Sequence, residues 1–218
     1  MKIPLNFVGL ASGVSLGHLG YTHCCIEDVG VLRSLPNIKI ISPCDTLEVA
    51  KTVFAAAKDQ SPVYIRLTGD NNTKQIYDAD YNFIIGKSIQ IEEGEDIAVL
   101  ASGSMVGEAR VAVDRLKKEN INLALFNFHT LKPIDNAALE SISKKYKIII
   151  TIEEHNIIGG LGSAVSEFLA RSNNNVRQIT LGINDNYNIT GEYEDILDKA
   201  GLSSDKIFLR LLKEFKKL

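Results

Sequence analysis

Short β-branched apolar runs alternate along this chain with longer stretches in which apolar residues recur every three or four positions, the signature of strand–helix–strand units around a mainly parallel sheet. Two blocks emerge. In the first, residues 5–8 read as a strand entering a loop, residues 9–22, that carries four glycines. A helical turn is expected over 25–33, a strand over 38–42, a helix over 46–58 and a further strand over 62–66. Asp45 reads as the N-cap of that helix, with Glu48 three positions on completing a capping box. A polar stretch rich in Asn and Asp follows over 69–82. In the second block the strands fall at 97–102, 122–128, 147–153 and 176–181, mostly apolar at consecutive positions, so that both faces of their sheet must be covered. Helices are expected at 105–118, 135–146 and 162–171, and a C-terminal helix begins at Ser203.

The expected fold class is α/β. A three-layer α/β/α domain with a mostly parallel sheet occupies 86–218, preceded across a linker at 71–85 by a partial α/β domain over 1–70. Two or three strands with one full helix make only about half of an open sheet. Such a half-sheet leaves an edge of unpaired backbone groups, and something upstream or from another chain should cover it.

Composition narrows the class. At 45% hydrophobic residues the chain can bury a real core, and a formal net charge of -3 provides no basic stripe for a phosphate backbone, which argues against nucleic acid. No apolar run reaches the roughly 20 residues that span a bilayer, and residues 1–4 lack a signal-peptide core, so neither membrane nor secretion is expected and the cytoplasm is the expected location. Cys24, Cys25 and Cys44 form no CxxC pair and read as reduced fillers.

Two segments could carry chemistry. The glycine-rich loop ending in Thr22-His23 matches neither the P-loop nor the dinucleotide fingerprint, yet glycines let a backbone wrap closely around a ligand. On composition alone it is as readily a long surface loop. The second segment, Glu153-Glu154-His155 followed by Gly159-Gly160-Leu161-Gly162, stands at the carboxyl end of a strand before a helix, where open α/β sheets bind ligands and where helix amides favour an anion. A purely structural role for it stands beside that reading.

Thr22-His23, Ile26-Glu27-Asp28, Leu32-Arg33-Ser34-Leu35-Pro36-Asn37, Pro43 with Asp45, and Pro62-Val63-Tyr64-Ile65-Arg66 together resemble the later half of the pyrimidine-binding domain of transketolases and deoxyxylulose-phosphate synthases. Asp96 to Gly103, Lys132-Pro133-Ile134-Asp135 and the Glu153 to Val165 segment resemble the C-terminal domain of the same family. The likeness covers nearly the whole chain. It implies a complete enzyme that uses thiamine diphosphate with Mg2+ to transfer a two-carbon ketol unit between sugars. It gives His23 the role of a catalytic and substrate-binding residue that hydrogen-bonds the donor sugar and shuttles protons. It leaves Arg66 as either a substrate-binding cation at the rim of the site or a structural ion pair, and gives His18, His129 and His155 no role.

Departures from the family pattern matter as well. An aspartate, a histidine and an arginine that the family turns toward the sugar phosphate correspond here to Leu19, Ala11 and Gly69. Each lost hydrogen bond costs about 1–3 kcal/mol, so this chain should hold an ordinary ketose phosphate poorly. The activating glutamate falls upstream of the segments present, Glu27 is not that residue, and Gly69-Asp70-Asn71 does not make a metal-diphosphate motif. No metal ligand and no tightly bound cofactor are therefore expected on this chain alone. The expected partners are an N-terminal transketolase-like subunit or segment, further copies of this chain, and a sugar. The competing reading is a non-catalytic assembly or regulatory module derived from the same region.

Overall fold

A computed structural model describes residues 3–70, 73–187 and 190–218; readings that touch residues 1–2 or Asn71 fall outside it. Nine strands and seven α-helices are formed among the described residues, in the order β1 (Asn6–Gly9), α1 (Asp28–Arg33), β2 (Lys39–Ile41), α2 (Thr46–Lys58), β3 (Val63–Arg66), β4 (Ile89–Glu92), β5 (Ile97–Ala101), α3 (Met105–Lys118), β6 (Ala124–Asn127), β7 (Thr130–Lys132), α4 (Asn136–Lys145), β8 (Ile148–Asn156), α5 (Leu161–Leu169), β9 (Arg177–Ile183), α6 (Tyr193–Ala200) and α7 (Ser204–Phe215). Among the described residues no helix is long and apolar enough to cross a membrane.

The strands make two sheets. The second, in order β4-β6-β5-β8-β9, is parallel except for its edge strand β4. β5, β6 and β8 are buried along their whole length, with apolar runs through β5, most of β6 and the first half of β8. Each fully buried Ile or Leu there stabilises the fold by about 1.5–3 kcal/mol.

The first sheet has the order β1-β3-β2-β7. β1, β3 and β2 run parallel, while β7, supplied by the second block, pairs antiparallel with β2 through Ile41 and Thr130 and through Ile40 and Lys132. The half-sheet is thus closed on one side by its own chain. On the other side β1 pairs with no further strand among the described residues, and Leu5, Phe7, Val8 and Leu10 are all about half exposed or more. Phe7 and Val8 point to opposite faces of β1, so both faces of this edge strand carry apolar side chains that the described residues leave half uncovered.

The two blocks share their interiors. Val14, Ile26 and Cys44 of the first pack in one cluster with Val99, Ile150 and Ile207 of the second, and Val29, Ile40 and Tyr64 pack in another with Leu100, Phe126 and Leu139. The cap on α2 extends this union. Asp45 Oδ1 accepts the Glu48 amide at 2.8 Å, while its Oδ2 accepts the amides of Ile76 and Tyr77, strapping the linker to the helix. Glu48 does not complete a capping box on Asp45. Its buried carboxylate takes the amide of Cys44, the hydroxyl of Tyr81 and the side-chain amide of Asn127 instead, reaching across to β6.

Candidate functional site

His23 ends a short 3-10 turn, Tyr21–His23, on the loop that leaves the carboxyl end of β1. The imidazole is exposed to solvent, with Nδ1 3.1 Å from the Thr22 hydroxyl. The loop is drawn into a ring by Gly13 and Cys25, whose amides each donate to the other's carbonyl at 2.7 and 2.8 Å. Gly13 has φ +79°, and a Cβ there would stand 2.2 Å from Glu154 Oε1, so the neck of the ring requires glycine. Leu19 and Tyr21 on this loop are exposed apolar surface, and Ala11 sits in the left-handed region at φ 53°.

Arg66 lies in an ion pair with Asp28. It is 3% exposed, and its Nε donates to both carboxylate oxygens of Asp28, at 3.0 and 2.8 Å. Its Nη2 donates to the carbonyls of Cys25 and Glu154. Tyr64, two positions back on the same face of β3, donates its hydroxyl to Asp28 at 2.7 Å. Burial pushes the Asp28 carboxyl up, but Arg66 and Tyr64 outweigh it and hold it below the usual carboxylate range. The guanidinium therefore ties α1, the neck of the His23 loop and β8 together from the inside.

The Glu153-Glu154-His155 segment, read from sequence as an anion site or a structural element, lies buried at the end of β8 and is engaged by the protein itself. Glu153 accepts the amides of Leu161 and Gly162 at 2.6 and 2.8 Å, so the N-terminus of α5 is already occupied by a carboxyl of the chain itself. Glu154 accepts the Val14 amide and the hydroxyls of Ser104 and Tyr193. His155 Nδ1 donates to the Asn156 carbonyl, which leaves Nε2 to accept the Gly30 amide at 3.3 Å. His129 is likewise buried, bonded to Thr130 and stacked on Phe83 at 4.3 Å.

These environments predict opposed pH effects. Burial, then the charge of Arg66, lowers His155 to about 4, and burial lowers His129 to about 4. The unfolded rings take protons below about 6.5 while the folded ones stay neutral, so this stability is present above pH 6.5 and lost as pH falls. Glu153 works the other way. Burial raises it to about 7, so between about 4.5 and 7 the folded state keeps a proton that the unfolded state releases, and stability falls as pH rises. In Glu153→Gln that titration is gone while the histidine terms remain. The stability difference between wild type and variant should shrink by about 2–3 kcal/mol from pH 5 to pH 8 in denaturant titrations; a difference that is flat or grows with pH contradicts the assignment.

A metal-diphosphate group is not accommodated by the side chains at hand. Glu27, just past the loop, accepts the Ile26 amide and the Tyr187 hydroxyl, and no three His, Cys, Asp or Glu side chains gather into a metal site among the described residues. Two cavities, of about 680 Å³ beside α2 and about 570 Å³ between α1, α4 and α5, have no His23 in their walls. What sequence reading missed is the Asp28, Tyr64 and Glu154 network. Its signal was the two-residue spacing of Tyr64 and Arg66, which puts both on one face of a strand opposite an acidic residue.

Models of the transketolase pyrimidine binding domain and of the transketolase C-terminal domain match residues 1–74 and 86–207. A protein described as a transketolase C-terminal section, from Methanocaldococcus jannaschii, is 34% identical over 218 residues, covering 99% of this chain and 68% of that protein. An apulose-4-phosphate transketolase subunit from Actinobacillus succinogenes is 36% identical over 204 residues, covering 93% of this chain and 65% of its own length. A solved structure of a split gene transketolase, an inactive beta4 tetramer, has a TM-score of 0.84 at 31% identity and covers 97% of this chain and 66% of that one. The chain spans about two thirds of the length of these relatives. With both domain models matched in order along one continuous fold, this chain belongs to the transketolase family.

Proposed function

We propose that this chain is the C-terminal part of a divided transketolase, which transfers a two-carbon ketol unit between sugars only when an N-terminal partner completes it. One observation carries the reading. The first sheet ends at a bare, apolar edge strand, β1, and the His23 loop leaves the carboxyl end of that strand, where open sheets of this kind bind ligands. The partner therefore covers β1 and brings its residues to His23 in one step. Thiamine diphosphate and Mg2+ would be held by the partner, because no donor set for them gathers among the described residues of this chain.

In this reading His23 bonds the donor sugar and moves a proton at a sugar oxygen, and Arg66 acts from the interior as the tie that fixes the loop. No lysine or arginine occurs between Lys2 and Arg33, so cations for a substrate phosphate come from the partner as well. Without its partner the chain associates with itself over the same apolar edge, in line with the tetramer described for its split-gene relative. The cytoplasm is the compartment that suits three free thiols and such a partner.

Sedimentation of the chain with and without the N-terminal subunit tests this. The chain alone should run as a homo-oligomer, and added partner should convert it to a mixed complex burying about 1,200 Å² or more per contact. A chain that stays monomeric and ignores the partner refutes the reading.

A further inference from the structure

The second block reaches the His23 loop at two places. Glu154, on β8, is the first: its buried carboxyl gathers the Val14 amide of the loop at 2.7 Å, the Ser104 hydroxyl just before α3, and the Tyr193 hydroxyl of α6 at 2.7 Å. The second is α6 with the segment before it. Gly17 lies so close that a Cβ would stand 2.0 Å from Ile196 Cδ1, the Gly191 amide donates to the Gly17 carbonyl, and the Tyr187 ring sits 5.9 Å from Tyr21. A loop with glycines at 9, 13, 17 and 20 has much conformational freedom to lose. Its shape is held from outside at both places, and at the first of them the loop, α3 and α6 meet on one carboxyl, Glu154.

We propose that Glu154 is a positioning residue for His23, its carboxyl clamping Val14 to Ser104 and Tyr193 so that the ring of residues 13–25 presents the imidazole in one place. This rests on the reading that His23 meets the sugar, and it gives the second block a part in the site. Arg66 supports the clamp from behind, through the Glu154 carbonyl and the Cys25 carbonyl at the neck of the ring. Glu154→Gln keeps an oxygen for Val14, and its amide can donate to either hydroxyl. Glu154→Ala removes every contact.

The test uses the chain reconstituted with its N-terminal partner, together with the imidazole proton signals of His23 and of buried His129. In Glu154→Ala the His23 signal should shift or broaden while His129 stays in place. The kcat for ketol transfer should fall about 10- to 100-fold, the scale for a displaced catalytic group, and Glu154→Gln should return it to within about threefold of wild type. A folded Glu154→Ala with an unmoved His23 signal and unchanged kcat overturns the proposal. Should that variant lose the His129 signal, Tyr193→Phe decides: a perturbed His23 signal supports the clamp, and an unmoved signal with unchanged kcat overturns it. If His23→Ala is itself without effect on kcat, the functional reading fails, and the His23 signal still decides the clamp.

Discussion

Arg66→Met should lower the stability of the folded chain by about 3–5 kcal/mol, because it leaves the buried Asp28 carboxylate without its cation. For a chain of this length that is a fall in melting temperature of about 10 °C. The cost comes from three separations made at once. Asp28 loses the Nε–H that both its oxygens share, the Cys25 carbonyl loses its donor at the neck of the His23 loop, and the Glu154 carbonyl loses its own. The coupling can be read directly: Asp28→Asn combined with Arg66→Met should cost clearly less than the sum of the two single changes, since each single change leaves a lone buried charge behind and the double variant leaves none. A single variant that melts within about 2 °C of wild type would show that Arg66 is not the interior tie described.

Much of this fold was legible in the sequence because its signals are local. The apolar runs of β5, β6 and β8, the cap at Asp45 and the amphipathic repeat of α3 each follow from neighbouring residues, and the structure places those elements within a residue or two, apart from the far end of β8. The elements that escaped depend on distant partners. β7 is three residues long and exists because β2 offers an edge, and β4 is a short edge strand paired to β6. α6 spans eight residues and buries Ile196 and Leu197 in the shared core near Gly17. β8 ran past its expected end at Glu153 to Asn156, because the two glutamates and the histidine find buried partners that no local pattern could announce. The same cause limited the reading of the site. Thr22-His23 could be singled out by its motif, whereas the burial of Arg66 and the joining of Val14, Ser104 and Tyr193 on Glu154 follow only from the packing of the two blocks.

His23→Ala should reduce ketol transfer by the reconstituted pair about 10²-fold or more, the usual scale for losing a positioned acid–base group. The exposed imidazole makes no contact that stabilises the core, so the variant should fold, melt and bind its partner as wild type does. A pair indifferent to the change would remove His23 from the site and leave the family membership untouched.

The central claim, that this chain holds one half of an active centre, is tested most directly by ketol transfer and thiamine diphosphate binding measured on the chain alone and on the chain with its N-terminal subunit. The chain alone should show no turnover, and saturating cofactor with Mg2+ should leave its melting temperature unmoved. The pair should turn over, and cofactor at about 100 times its Kd should stabilise it by about 2.7 kcal/mol. Turnover by the chain alone, or a Mg2+-dependent rise in its melting temperature with thiamine diphosphate, would contradict the account.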